Sequence, residues 1–187
     1  ANNAFSYLLY GSGHPYGHNP AGTEVSVKAM TPDGMAKFYE TYYRPNNGTL
    51  IVVGDVTLKA IVPKLNAALA NWKPGDVASF SVPPPPAPGR MRVYLIDKPD
   101  APQSEVRIGY PALARSTPDY FPVVVMNRML GGQFTSRVNL NLREKHGFTY
   151  GAFTSFRFQK GIGPFVAQGG IVSEKTDSAL VEFIAEI

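Results

Sequence analysis

Thr135-Ser136-Arg137-Val138-Asn139-Leu140-Asn141-Leu142-Arg143-Glu144-Lys145-His146-Gly147-Phe148-Thr149-Tyr150 carries the densest signal in the chain. The spacing predicts a short helix over Ser136 to Lys145, with Thr135 as its cap, that stops at a glycine and feeds a strand. Val138 and Leu142 share one helical face, while Asn139, Arg143 and His146 lie along another. Arg143 falls in the last turn, where a cation complements the negative end of the helix dipole. Gly147 reverses the chain, and Tyr150 opens the following strand, close enough to stand beside Arg143. A guanidinium and a phenol side by side can grip a peptide carbonyl or a carboxylate. A helix-capping Arg and a core Tyr would leave the same pattern.

Outward from this stretch, residues 91–187 read as strands, then paired helices, then strands again. Val93-Tyr94-Leu95-Ile96 is an expected strand, and Glu105-Val106-Arg107-Ile108-Gly109-Tyr110 alternates at period two as a half-buried neighbour. Thr117-Pro118-Asp119 has the chemistry of a helix start, and Phe121 to Leu130 is apolar enough to predict a largely buried helix ended by Gly131-Gly132. Strands are expected near Tyr150–Phe158 and Phe165–Val172. Thr176 is the expected cap of a last helix with Leu180, Phe183, Ile184 and Ile187 on one face. This order predicts an α+β fold, a two-layer sandwich with helices packed on one face of a mixed or antiparallel sheet.

Residues 74–90 form a linker that Pro83-Pro84-Pro85-Pro86 makes stiff, since such a run favours a polyproline II spacer of about 3.1 Å per residue. Before it, residues 1–73 make a first segment. Ala4–Tyr10 resembles a helix tail ending in the turn-rich Gly11-Ser12-Gly13-His14-Pro15-Tyr16-Gly17. Thr31-Pro32-Asp33 starts a helix with Met35, Phe38, Tyr39 and Tyr42 on one apolar face. Leu50 to Val53 is a continuous β-branched run that reads as a buried strand. A second helix runs from Thr57 to about Trp72, with Pro63 either kinking it or marking its true start. The three parts, 1–73, 74–90 and 91–187, set the expected domain organisation.

Composition excludes several function classes. The 187 residues carry a net charge of +4 with the basic residues scattered, which gives no nucleic-acid stripe. No apolar run is long enough to cross a membrane as a helix. Cysteine is absent, which removes disulfides, thiolate-bound zinc and thiol catalysis. The first residue is Ala1 without a leader-like apolar stretch, and the last helix lacks a stop signal, so both ends are expected to be cuts from something longer.

His14 and His18 have the spacing of a helical zinc pair, but Pro15 and Gly17 oppose a helix and no Glu follows His14 as a base. A turn-stabilising or interface role is expected for His14. His146 has only Glu144 nearby in sequence, which points elsewhere on a helix. Gly11-x-Gly13-x-x-x-Gly17 lacks the strand–loop–helix setting of a dinucleotide loop. Asn47-Gly48-Thr49 matches a glycosylation sequon but reads better as a turn. No metal site and no catalytic residue is expected in this chain.

Across nearly its whole length the chain resembles the insulinase/pitrilysin family of zinc peptidases. The likeness rests on His14-Pro15-Tyr16-Gly17, Gly22-Thr23, Tyr42-Tyr43-Arg44-Pro45-Asn46-Asn47 with Phe38, and Val52-Val53-Gly54-Asp55. In the second segment it rests on Ala101-Pro102-Gln103-Ser104, Pro118-Asp119-Tyr120, Leu130 to Arg137, and Asn141-Leu142-Arg143-Glu144-Lys145 with Gly147 and Tyr150-Gly151. The resemblance implies homologous α+β domains of the processing-peptidase type enclosing a chamber for peptides. It implies zinc held by an inverted His-x-x-Glu-His motif in a catalytic domain. That motif is absent here, and the motif pattern most resembles the non-catalytic C-terminal half of long bacterial members. It implies that this chain spans the back of one domain, the linker and the front of the next. Arg143 and Tyr150 match a pair that in the family helps hold the substrate backbone. The implied partners are a peptide substrate and the catalytic half of the same protein or a partner subunit, and family analogy points to the periplasm or cell envelope. A non-enzymatic structural or binding module of the same fold is the alternative.

Overall fold

The alternating run around Val106 and Ile108 forms the first strand of an antiparallel sheet. The structure, a computed structural model, describes residues 1–87 and 89–187; Pro88 of the linker lies outside the described residues. In chain order, helices α1 (Asn2–Tyr10), α2 (Glu24–Lys28), α3 (Pro32–Tyr42) and α4 (Leu58–Ala68) precede strand β1 (Gln103–Leu113). Helices α5 (Tyr120–Leu130) and α6 (Arg137–Asn139) and a π-helical turn (Leu140–Lys145) then lead to β2 (Thr149–Phe156), β3 (Gly163–Val172) and α7 (Thr176–Glu186). Two compact units result: Ala1–Pro20 with Val82–Ile187, and Ala21–Ser81.

In the larger unit the strand order is β1-β3-β2, all antiparallel. Val106 faces Gly169 and Ile108 faces Ala167 across one ladder, and Ala152 faces Gly169 across the other. Strand β3 is central, and Phe165, Ala167 and Ile171 from it join Val106 and Ala152 in the core. Val138 and Leu142 from the α6–π segment, with Ala179 and Phe183 from α7, close that core, and all four are fully buried. Removing a side chain of this size from water contributes about 1.5–3 kcal/mol. The layering is the α+β arrangement of helices on an antiparallel sheet that the element order implies.

The helix starts show local rules at work and where they slip. Thr31 and Thr57 cap α3 and α4 as expected, accepting from the backbone N–H of Gly34 and Ala60. Pro63 sits inside α4, where it has no N–H to offer Lys59. Thr117 instead accepts from the N–H of Asp119, which delays α5 to Tyr120. Ser136 rather than Thr135 precedes α6. Thr176 is the first residue of α7, and its hydroxyl lies 2.8 Å from both Ser104 Oγ and the Ser173 carbonyl. Thr176 therefore lies inside the first turn, with Lys175 at the cap position and no side-chain cap bond, and its hydroxyl serves as a donor instead. On α7 the buried face is Ala179 and Phe183, while Ile184 and Ile187 are exposed.

Two expected strands are absent, and two expected burials with them. Leu50 to Val53 and Val93 to Ile96 belong to no sheet among the described residues, and Val53 and Leu95 are 91% and 94% exposed. A β-branched run encodes a preference for a ladder, but the ladder needs a partner strand, and no described segment pairs with either run. Helix α5 forms as expected yet exposes Phe121, Val125 and Met129. In the smaller unit, α3 likewise leaves Met35, Phe38, Tyr39 and Tyr42 exposed. The aromatic rings there pack on each other, Phe38 on Tyr42 at 4.9 Å and Tyr39 on Tyr43 at 5.2 Å between centroids. Trp72 donates to the Tyr43 carbonyl, and Asn46 pairs with Gly75 in both directions.

Candidate functional site

Arg143 is presented by a helix that widens. From Leu140 the segment is π-helical; the N–H of His146 bonds to the Asn141 carbonyl five residues back, and that of Phe148 to the Leu142 carbonyl. Such turns are rare and concentrate at functional sites. In an α-helix Arg143 would stack over Asn139; here Asn139 is fully buried while the Arg143 side chain is 26% exposed. Nothing in the local residues signals this change of register, since Leu140 to Lys145 read as an ordinary helical stretch.

Two aromatic rings flank the guanidinium. Its Cζ lies 4.3 Å from the centroid of Phe134 and 5.2 Å from that of Tyr150, within cation–π range. Nη1 is 3.2 Å from Glu144 Oε1, an ion pair. That contact falls short of hydrogen-bond geometry, so the buried Nη1 has no hydrogen-bond acceptor among the described residues. The Arg143 side chain as a whole is 26% exposed, and a charged donor at that exposed surface can give a strong bond to an arriving acceptor. The juxtaposition of Arg143 and Tyr150 expected from the sequence is therefore present. Tyr150 is no core residue: it is 87% exposed. Phe134 was not anticipated, and an aromatic in a Gly-Gln-Phe-Thr loop gives no local clue to what it stacks on.

A bulge aims Tyr150. Thr149 pairs with Ile171 and Ala152 with Gly169, so β2 spends one extra residue between them. The Thr149 hydroxyl fills the break, accepting from the Gly151 N–H at 3.0 Å and donating to the Gly170 carbonyl at 2.7 Å. Gly147, at φ 64°, takes the left-handed conformation that lets the π-helical segment turn back into β2.

The turn bearing Phe134 is tied to the sheet at its start. Asn127 accepts from the Thr154 hydroxyl at 2.7 Å and donates to the Thr154 carbonyl at 3.1 Å. The Thr154 N–H donates to the Gly131 carbonyl at 2.9 Å. A Cβ on Gly131 would overlap Thr154, so only glycine permits this approach. On the far side, Asn141 donates to Glu182 at 2.8 Å and Glu186 at 3.0 Å of α7, and Arg137 pairs with Glu186 at 3.0 Å. His146 Nε2 stands 3.7 Å from Glu182, an acidic neighbour 36 positions away in the chain that sequence spacing did not indicate.

The histidines do not converge on a metal. His14 accepts the Tyr16 N–H at Nδ1, which places its proton on Nε2, and that nitrogen donates to the Pro83 carbonyl at 3.0 Å. His14 is buried and stacks on Tyr10, whose hydroxyl donates to the Ile162 carbonyl. This is the turn-stabilising role expected of it. Burial, with the Tyr16 phenol adding to it and Arg157 opposing, pushes the Tyr10 phenol up to about 12. His18 Nε2 is 2.7 Å from the Ser12 carbonyl. No group of three His, Cys, Asp or Glu side chains able to hold a metal exists among the described residues. A catalytic zinc needs three protein ligands and an open position, so these residues do not fit the ion. No described helix is long and apolar enough to cross a membrane.

Fold and site together define an α+β fold with a cationic surface beside aromatic rings and, among the described residues, no group able to hold a metal. A family profile described as "Peptidase M16 inactive domain" matches residues 29–187, and the chain belongs to that family. An uncharacterized zinc protease of Streptomyces coelicolor is 30% identical over 157 residues, which cover 80% of this chain and 33% of that protein. Zinc protease PqqE of Helicobacter pylori is 25% identical over 176 residues, covering 92% of this chain and 39% of that protein. The crystal structure of a peptidase M16 inactive domain from Pseudomonas fluorescens superposes with a TM-score of 0.81 at 26% identity, over all of this chain and 45% of that one. The chain thus spans less than half the length of these relatives.

Proposed function

We propose that this chain is the peptide-holding, zinc-free part of a zinc metallopeptidase, and that Arg143 and Tyr150 bind the backbone of the substrate. The observation that carries the reading is the Arg143 guanidinium, partly exposed and within cation–π distance of both Phe134 and the exposed Tyr150. A peptide carbonyl arriving there accepts a charge-assisted bond, and the exposed Tyr150 hydroxyl supplies a second, neutral one. Neither residue performs a chemical step. Zinc and the water it activates belong to a catalytic part of the same protein or of a partner subunit, a reading supported by the names of the relatives and by the lack of ligands here. Within the family layout, residues 1–73 are the C-terminal part of one domain, 74–90 the linker and 91–187 the N-terminal part of the next.

The test is cleavage of a fluorogenic peptide by the full-length protein carrying Arg143→Ala. A fall in kcat/KM with zinc content and melting temperature unchanged supports the reading. An unchanged kcat/KM with a lowered melting temperature would mean that Arg143 only holds the fold.

A further inference from the structure

We propose that Asn139 is a positioning residue that fixes the spacing of the two rings around Arg143, an inference that rests on the peptide-holding role above. Its side chain is fully buried between the two segments that carry those rings. The amide nitrogen donates to the Phe134 carbonyl at 2.7 Å, and the amide oxygen accepts from the Ala152 N–H at 3.0 Å. Phe134 stacks on one side of Arg143, and Ala152 is the first residue of β2 back in register after the bulge that presents Tyr150. One amide thus ties the turn under Arg143 to the strand beside it.

The chemistry requires an amide. Phe134 offers only an acceptor and Ala152 only a donor, and Asn is the shortest side chain that answers both with fixed geometry. Other bonds brace the neighbourhood, such as Thr149 across the bulge and Asn127 at Thr154, but these hold β2 to β3 and α5 to β2. Only Asn139, among the described side chains, bonds both the turn of Phe134 and the strand of Tyr150. Buried groups with both ends satisfied specify one arrangement, and losing either end leaves a backbone group unpaired. Because bound peptide must meet Arg143 within a narrow geometry, a shift of the rings is read as lost affinity.

The test uses the full-length protein and initial fluorescence anisotropy with a fluorescein-labelled casein peptide. Asn139→Asp keeps an acceptor for Ala152 but cannot donate to Phe134, and Asn139→Leu loses both bonds without burying a charge. Each is expected to raise Kd about threefold to tenfold, and neither should weaken binding further in an Arg143→Ala background. A structural role elsewhere would lower the melting temperature but add its loss to that of Arg143→Ala. Wild-type Kd in either folded variant, or full additivity, overturns the proposal. If Arg143→Ala binds the peptide normally, the clamp reading fails and the positioning role with it; if only the Asn139 variants bind normally, positioning alone fails. Should both Asn139 variants fail to fold, Phe134→Leu removes the ring while keeping both Asn139 bonds, and a wild-type Kd for it overturns the proposal.

Discussion

The guanidinium of Arg143 stands 5.2 Å from the ring of Tyr150, although the two residues reach that point from opposite sides of a glycine turn, one on a widened helix and one on a bulged strand. The contact leaves the Tyr150 ring almost wholly in solvent, so it contributes little to the core. An arrangement this exposed is available to a ligand.

Removing that charge should be costly for substrate and cheap for the fold. Arg143→Ala in the full-length protein is expected to lower kcat/KM by roughly ten- to a hundredfold, about 1.5–3 kcal/mol for one lost charge-assisted bond. Tyr150→Phe, which keeps the ring beside Arg143 and loses only a neutral hydroxyl, should cost less. Steady-state kinetics beside thermal melts of both variants separate the two effects. A larger loss for Tyr150→Phe than for Arg143→Ala would contradict this order.

Alkaline titration should report on Tyr10. Its phenol is held up at about 12 in the folded chain, chiefly by burial, against roughly 10 for a free tyrosine. The neutral form is the one that donates to Ile162. Below pH 10 both states are protonated and the contribution is complete; between pH 10 and 12 the unfolded chain loses its proton first, so stability falls as pH rises. The two-unit window corresponds to about 2–3 kcal/mol. Urea melts of wild type and Tyr10→Phe across this range should show the slope weakened in the variant; parallel slopes would rule out Tyr10 as its source.

His14→Ala should destabilise without changing metal content. Loss of the imidazole strands the Tyr16 N–H and the Pro83 carbonyl, a penalty of about 1–3 kcal/mol. Melting temperature should drop accordingly, by about 2–4 °C per kcal/mol at this size. Elemental analysis of untagged protein before and after the substitution provides the second reading. One zinc per chain that disappears with His14 would show a metal site that the described residues do not form.

Gly131→Ala places a methyl group against Thr154 where α5 meets β2. The strain should cost about 1–3 kcal/mol, and the displacement should carry into the Phe134 turn, weakening peptide binding as well. Near-native stability in urea unfolding would mean that the α5–β2 junction yields more than its hydrogen bonds imply.

Period and punctuation in the sequence were enough for the strand at Val106, for the presence though not the starts of the helix over Phe121 to Leu130 and the last helix after Thr176, and for the caps at Thr31 and Thr57, because each is a local matter of side-chain spacing or one hydrogen bond. The absence of an inverted zinc motif was likewise a plain fact of residue order. The nearness of Arg143 to Tyr150 was legible too, since a glycine turn between them leaves few other geometries.

Tertiary structure decided the rest. The π-helical register of Arg143, the bulge before Ala152, the stacking of Phe134 and the two-ended bond of Asn139 all depend on partners brought in from other elements. The unpaired state of Leu50–Val53 and Val93–Ile96 has the same origin. A sequence specifies which face wants a partner, and only the folded chain shows whether one has come to it.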